Sequence, residues 1–112
     1  PLLQVVSIAA GGFPLDVSTW TVPGRVVIPI VSPSNLPSSL PGIVDLALGD
    51  NFTNYVSFLP LVADAAQGKA LLSFVVPPGL AGLTFYFQSV TIPASLTPPF
   101  PATNLGQTFV LF

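Results

Sequence analysis

Residues 83–92 read LTFYFQSVTI, and the fold class turns on how this stretch is taken. As a strand, it sends alternate side chains to opposite faces: Thr84, Tyr86, Gln88, Val90 and Ile92 to one, Phe85, Phe87, Ser89 and Thr91 to the other. Both faces are partly apolar. Extended backwards to GLAGLTFYFQSVTI, it is the longest proline-free apolar run in the second half of the chain, and it is too short to cross a bilayer as a helix. Strands buried on both faces are normal where helices cover a parallel sheet. No helical segment is available here for that task, so neighbouring subunits are the expected cover.

Working outward, 14 prolines and 9 glycines divide the remainder into strand-sized pieces, few of them as long as a helix requires. Candidate strands are LLQVVSIA (2–9), VSTWTV (17–22), RVVIPIV (25–31), IVDLALG (43–49), NYVSFLPLV (54–62), ALLSFVV (70–76) and QTFVLF (107–112), beside 83–92 itself. The connections PSNLPSSLPG, VPPGLAG and PASLTPPFPATNLG carry turn chemistry. Of the rest, DAAQGKALL is the one briefly helical pattern, and its glycine favours a turn. The pattern predicts an all-β chain: a single β-sandwich or jelly-roll-like domain of about seven or eight strands, which a strand from a neighbouring subunit can complete. Pro29 and Pro60 lie inside strand-like runs, which places those runs at an edge or a bulge. Residues 26–42 and 90–106 align without gaps as a faint internal echo; shared proline-rich composition accounts for it.

Composition constrains function more sharply. Of 112 residues 51% are hydrophobic and 5% charged, against about 25% charged in an ordinary soluble domain. The charged residues are Asp16, Arg25, Asp45, Asp50, Asp64 and Lys69, and none follows Lys69. A folded monomer of this length exposes roughly 6,000 Å², so charge is sparse enough to leave association poorly opposed. Disorder is excluded by nine Phe, two Tyr, one Trp and many Val and Ile. No cysteine is present, which removes disulfides, thiolate metal sites and redox couples. A positively charged leader is not visible, so an exported chain would begin at or beyond its cleavage point.

Residues that carry catalysis are scarce. The chain has no His, Cys or Glu, and general acid–base or nucleophilic chemistry depends on such groups. Lys69 has no serine at SxxK spacing, and nothing pairs two of the aspartates. A non-catalytic protein without cofactor or metal is expected. The cluster DNFTN (50–54), with Asp45 one strand away, offers oxygens for a hard cation, but its spacing suits an Asx-rich turn better. Asn51-Phe52-Thr53 is an acceptor sequon, which makes Asn51 a candidate glycosylation site and a glycan a candidate partner. Two cationic residues are too few for nucleic acid. Trp20, Tyr55 and Tyr86 are read as core or cross-strand partners rather than a sugar platform.

The stretch PPGLAGLTFYFQSVTIPAS, through Pro78, Leu80, Gly82, Leu83, Phe85, Tyr86 and Gln88, resembles the closing strand region of small β-sandwich domains in secreted and surface proteins of planctomycete and myxobacterial type. That resemblance covers about the last third of the chain and implies export and an all-β fold. Ile92-Pro93 stands where those domains carry an acidic residue.

The opening stretch PLLQVVSIAAGGF (1–13) completes the reading. Residues 1–12 form a candidate donor strand and hinge, and 13–112 the sandwich. Leu3 and Val5 point one way, Leu2, Val6 and Ile8 the other, and Gly11-Gly12 would let the strand swing out to a neighbour's sheet. Chaperone–usher pilins use a similar mechanism, although their cysteines are absent here. The C-terminal strand 107–112 is the rival donor. The expected function is a structural subunit of an extracellular filament, pilus-like fibre or surface layer that polymerises with copies of itself. The alternative is a carbohydrate-binding or adhesin-type module of a larger exported protein. A membrane β-barrel fits least, because few strands reach spanning length.

Overall fold

The computed structural model describes all 112 residues, Pro1–Phe112, as an all-β chain without a helix. Eleven short strands follow in order: β1 (Leu2–Val5), β2 (Ile8–Ala9), β3 (Pro14–Trp20), β4 (Val26–Ser32), β5 (Ser38–Leu40), β6 (Val44–Leu46), β7 (Val56–Ser57), β8 (Leu61–Val62), β9 (Lys69–Val75), β10 (Thr84–Ile92) and β11 (Gly106–Val110). A three-stranded sheet, β1-β3-β9, packs on a larger sheet ordered β2-β11-β10-β4-β7, in which β8 also pairs with β4. A hairpin of β5 and β6 stands apart from both. The molecule is a slab of 42 × 33 × 18 Å.

The strand count exceeds the expected seven or eight because two runs break and one loop pairs. Residues 2–9 change sheets midway: β1 pairs antiparallel with β3, then β2 runs parallel to β11. The run 54–62 breaks at Leu59-Pro60 into β7 and β8, both pairing with β4. The loop residues Ser38–Leu40 pair with Val44–Leu46. Pro29 accounts for the position of the break. Its carbonyl accepts from the Phe58 amide, and a strand residue's N–H and C=O point the same way, so the nitrogen without a hydrogen faces the gap. The strand that holds Pro29 is thus an inner one, between β10 and the broken edge.

The central pair is β4 with β10, in register from Val26↔Ile92 to Ser32↔Tyr86. On its other side β10 pairs with β11 over Thr84–Phe87. Beyond that, residues 101–103 take over: the Thr91 amide donates to the Pro101 carbonyl and the Thr103 amide to that of Ser89. Phe87 to Thr91 are all buried. The inner face packs Phe85 and Phe87 with Leu3, Leu15, Val17 and Val110. The outer face packs Tyr86 and Val90 with Ile30, Leu46, Leu48 and Phe100.

Here an expectation is corrected. The second apolar face of 83–92 is covered by the β5–β6 hairpin and the 93–105 loop of the same chain, with no need for a neighbour. Proline-rich loops lack helical periodicity, yet they bring enough Leu, Phe and Ala to seal a sheet. Gln88, buried in this layer, donates through Nε2 to the Thr103 carbonyl (2.7 Å) and accepts from the Ala47 amide (2.8 Å). Thr19 and Ser89 hydroxyls bond across the two sheets at 2.8 Å. No buried side-chain nitrogen or oxygen is left without a partner, as a buried polar seam requires. The echo has no structural counterpart, since residues 26–32 form a whole strand whereas 90–92 end one.

The turn from β8 to β9 is fixed by Asp64 and Gly68. Asp64 Oδ1 accepts from the amides of Gln67 (2.6 Å) and Gly68 (3.1 Å). The Gln67 bond is the main cause that holds the Asp64 carboxyl below the usual carboxylate range. Because the folded value is depressed, the contribution is present above the ordinary range and is lost as pH falls through that folded value. Gly68 has φ +69°, and a Cβ there would lie 2.0 Å from the Thr21 carbonyl oxygen. Gly68→Ala combines a backbone clash with a left-handed conformation and is expected to lower Tm by more than roughly 10 °C. Thermal denaturation followed by circular dichroism checks this; an unchanged Tm would contradict the turn.

Candidate assembly surface

A sheet edge presents unpaired amides and carbonyls that template pairing with another chain, and proteins usually block such edges. The two main sheets have four edges, and three are blocked. β2 spans two residues. The β7/β8 edge is interrupted at Leu59-Pro60. Along β1, Asn104 stands in for a strand: its Oδ1 accepts from the Leu3 amide (2.8 Å) and its Nδ2 donates to the Leu3 carbonyl (3.1 Å).

The fourth edge, β9, is open. Its pairing with β3 runs from Pro14↔Val75 to Trp20↔Lys69. At either end the Thr21 amide donates to the Gly68 carbonyl and the Val76 amide to the Phe13 carbonyl. Antiparallel ladders alternate strictly, so Ala70, Leu72 and Phe74 bond toward β3, and Lys69, Leu71, Ser73 and Val75 face away. Lys69 has its outward carbonyl met by the Asp64 amide at 3.0 Å. The outward amides and carbonyls of Leu71, Ser73 and Val75 meet no strand. No charge or proline interrupts this run, and the side chains of Leu71 and Val75 are 49% and 61% exposed. Ser73 donates its hydroxyl to Asp16 Oδ1 across the ladder at 2.6 Å.

Beneath the same strand lies a cleft of about 320 Å³ between the sheets, walled by Leu15, Phe74 and Val76 on one side and Val31, Phe87 and Val110 on the other. Val56 and Phe58 of the β7 segment also line it, and the Phe58 and Phe74 rings stand 5.4 Å apart. Thr108 is the one hydroxyl in the wall, and it donates to the Val6 carbonyl (2.7 Å). Side chains around such a space lack contacts on one side. The cleft suits apolar atoms and offers no group for acid–base work.

The candidate donor residues lie folded on their own domain. Leu3 is buried in the core and Val5 packs against it, whereas Leu2, Val6 and Ile8 are exposed. The two faces therefore separate as the alternation predicts. Gly11 and Gly12 form a pinned turn: the Gly11 amide donates to the Phe112 carbonyl and the Gly12 amide to that of Val76. Withdrawing β1 would open the core beside Leu15 and Val17, so its donation is reasonable only as an exchange of equal strands. The rival donor, β11, lies between β2 and β10 and cannot leave without dismantling the larger sheet.

Other candidates separate. Asn51 is exposed in a turn where Asp50, Asn51 and Phe52 all have positive φ (48°, 55° and 61°). The Phe52 amide donates to the buried Ser38 hydroxyl (2.9 Å), which helps hold that left-handed turn. Lys69 sits over the Trp20 ring at 5.4 Å, Tyr55 meets Phe52 edge-on, and Tyr86 packs in the outer core. Asp16 and Asp45 accept from Ser73 and Ser39. No three acidic groups converge. The open edge at Leu71, Ser73 and Val75 was missed in sequence, although the uncharged, proline-free run 70–76 was its signal.

No protein-family model, curated protein or solved structure matches this chain. Asn104→Ala would unpair Leu3 and is expected to cost about 1–3 kcal/mol. It would also expose a second edge, so urea unfolding and light scattering should show a less stable, more associating protein. Unchanged values in both would contradict the capping role.

Proposed function

We propose that this chain is a structural subunit that joins copies of itself by β-strand addition at the β9 edge, building an exported filament or surface layer. The observation that carries this reading is the contrast between edges: three are blocked by brevity, proline or a side-chain amide, and β9 alone keeps a row of free backbone groups flanked by exposed Leu and Val. The accessible surface of 6087 Å² carries six charged side chains, which leaves little electrostatic opposition to contact.

An assembly larger than a pair needs a second surface. Ile8 and Phe109 lie side by side in register across β2 and β11, both exposed, with exposed Leu111 following. Such a ridge supplies apolar contact without hydrogen bonds. Export follows from the same reading, since a charge-poor, edge-bearing surface is prone to aggregate, and Asn51 would then be open to glycosylation. The sugar-binding alternative has less support, because Trp20, Tyr55 and Tyr86 each serve a separate local contact.

Ser73→Pro tests the proposal directly. It removes the outward N–H together with the exposed hydroxyl bond to Asp16, leaves the backbone ladder to β3 intact, and sets no new charge. Wild-type protein is expected to form multimers in light scattering and negative-stain images, with the variant monomeric and its circular dichroism unchanged. A wild-type chain that stays monomeric when concentrated would overturn the reading.

A further inference from the structure

We infer that the partner of the β9 edge is the β9 edge of a second copy, paired antiparallel about a twofold axis through Ser73. The inference rests on the strand-addition reading above and specifies its partner and register. The free groups belong to Leu71, Ser73 and Val75, and an antiparallel partner must place outward residues opposite outward residues. Centred on Ser73, Leu71 faces Val75 of the second copy, Ser73 faces its equivalent, and Val75 faces Leu71. All three free residues then sit in hydrogen-bonded pairs.

Neighbouring registers do worse for reasons visible in the chain. A shift toward the start of β9 sets Val75 opposite Lys69, whose carbonyl already accepts from Asp64. A shift toward the end sets Leu71 opposite Pro77, which has no N–H to give. The side chains agree with the Ser73 centre. ALLSFVV (70–76) is palindromic in character, so on the outer face the exposed Leu71 meets Val75, and on the inner face Leu72 meets Phe74. Cross-strand apolar pairs of this kind are the unit of sheet stabilisation. Asp16 lies one strand away from the axis in each copy, which separates the two carboxylates by about three strand spacings, roughly 14 Å, beyond a Debye length at physiological salt.

Two three-stranded sheets joined in this way become one of six strands, with each β1 edge, capped by Asn104, at the outside. The contact is isologous and closes on itself. The pair is then the repeating unit, and growth falls to the Ile8–Phe109 ridge.

Because the chain has no cysteine, a single introduced thiol reports the register. Hydrogen-bonded antiparallel residues have Cα atoms about 5.5 Å apart, within disulfide range. Ser73→Cys is expected to give a covalent dimer under mild oxidation at least roughly tenfold faster than Leu71→Cys, whose two copies would lie about 14 Å apart. The double variant Leu71→Cys with Val75→Cys should also cross-link, which keeps the test valid if Ser73→Cys perturbs the strand. If wild-type protein assembles but neither Ser73→Cys nor the double variant outpaces Leu71→Cys, the twofold register is wrong while strand addition stands. If wild-type protein never associates, both fall.

Discussion

The antiparallel pairing of β4 with β10 constrains everything else in the molecule, because it is buried on both faces and therefore needs two separate layers of cover. One layer is the β1-β3-β9 sheet, tied to β10 through the Thr19–Ser89 hydroxyl bond. The other is the β5–β6 hairpin with the 93–105 loop, tied through Gln88. Burying Ser, Thr and Gln in such a seam is tolerable only when each polar atom is matched. That requirement fixes where the loops lie. It also explains how a chain with few charges reaches a unique arrangement: hydrogen bonds supply the register that salt bridges supply elsewhere.

A second consequence concerns cover and its limits. Loop residues such as Leu48, Phe52, Phe100 and Leu105 seal the outer face of the larger sheet, and no segment of the chain extends the smaller sheet beyond β9. The smaller sheet therefore ends early, over a cleft it does not fill, with Leu71, Ser73 and Val75 turned outward. The surface carries few charges, and the blocked β1, β2 and β7/β8 edges leave β9 as the edge where strand pairing can happen.

Much of this was legible in the residues. Proline and glycine marked most strand ends because neither suits a strand interior, Pro29 of β4 being the exception, and the alternation of 2–9 sorted Leu3 and Val5 inward from Leu2, Val6 and Ile8. The double-sided character of 83–92 was also visible, but its cover was assigned to neighbours because loop residues such as Leu48 and Phe100 carry no periodicity to betray packing. The change of sheets between β1 and β2 leaves no mark beyond Val6-Ser7, so a strand folded at home read as one free to leave. The left-handed turn at Asp50, Asn51 and Phe52 depends on Ser38, which is remote in sequence. The open β9 edge escaped notice for a related reason: an edge is defined by what fails to pair with it, and pairing is a property of the whole sheet.

Backbone hydrogen exchange along β9, resolved by residue and followed from dilute to concentrated solution, reaches the central claim most directly. The account predicts that the amides of Ala70, Leu72 and Phe74 stay protected throughout. Those of Leu71, Ser73 and Val75 should exchange freely when the protein is dilute and become protected together as it associates. Protection of the outward three in an isolated monomer, or free exchange of all three in a fully associated sample, would contradict it.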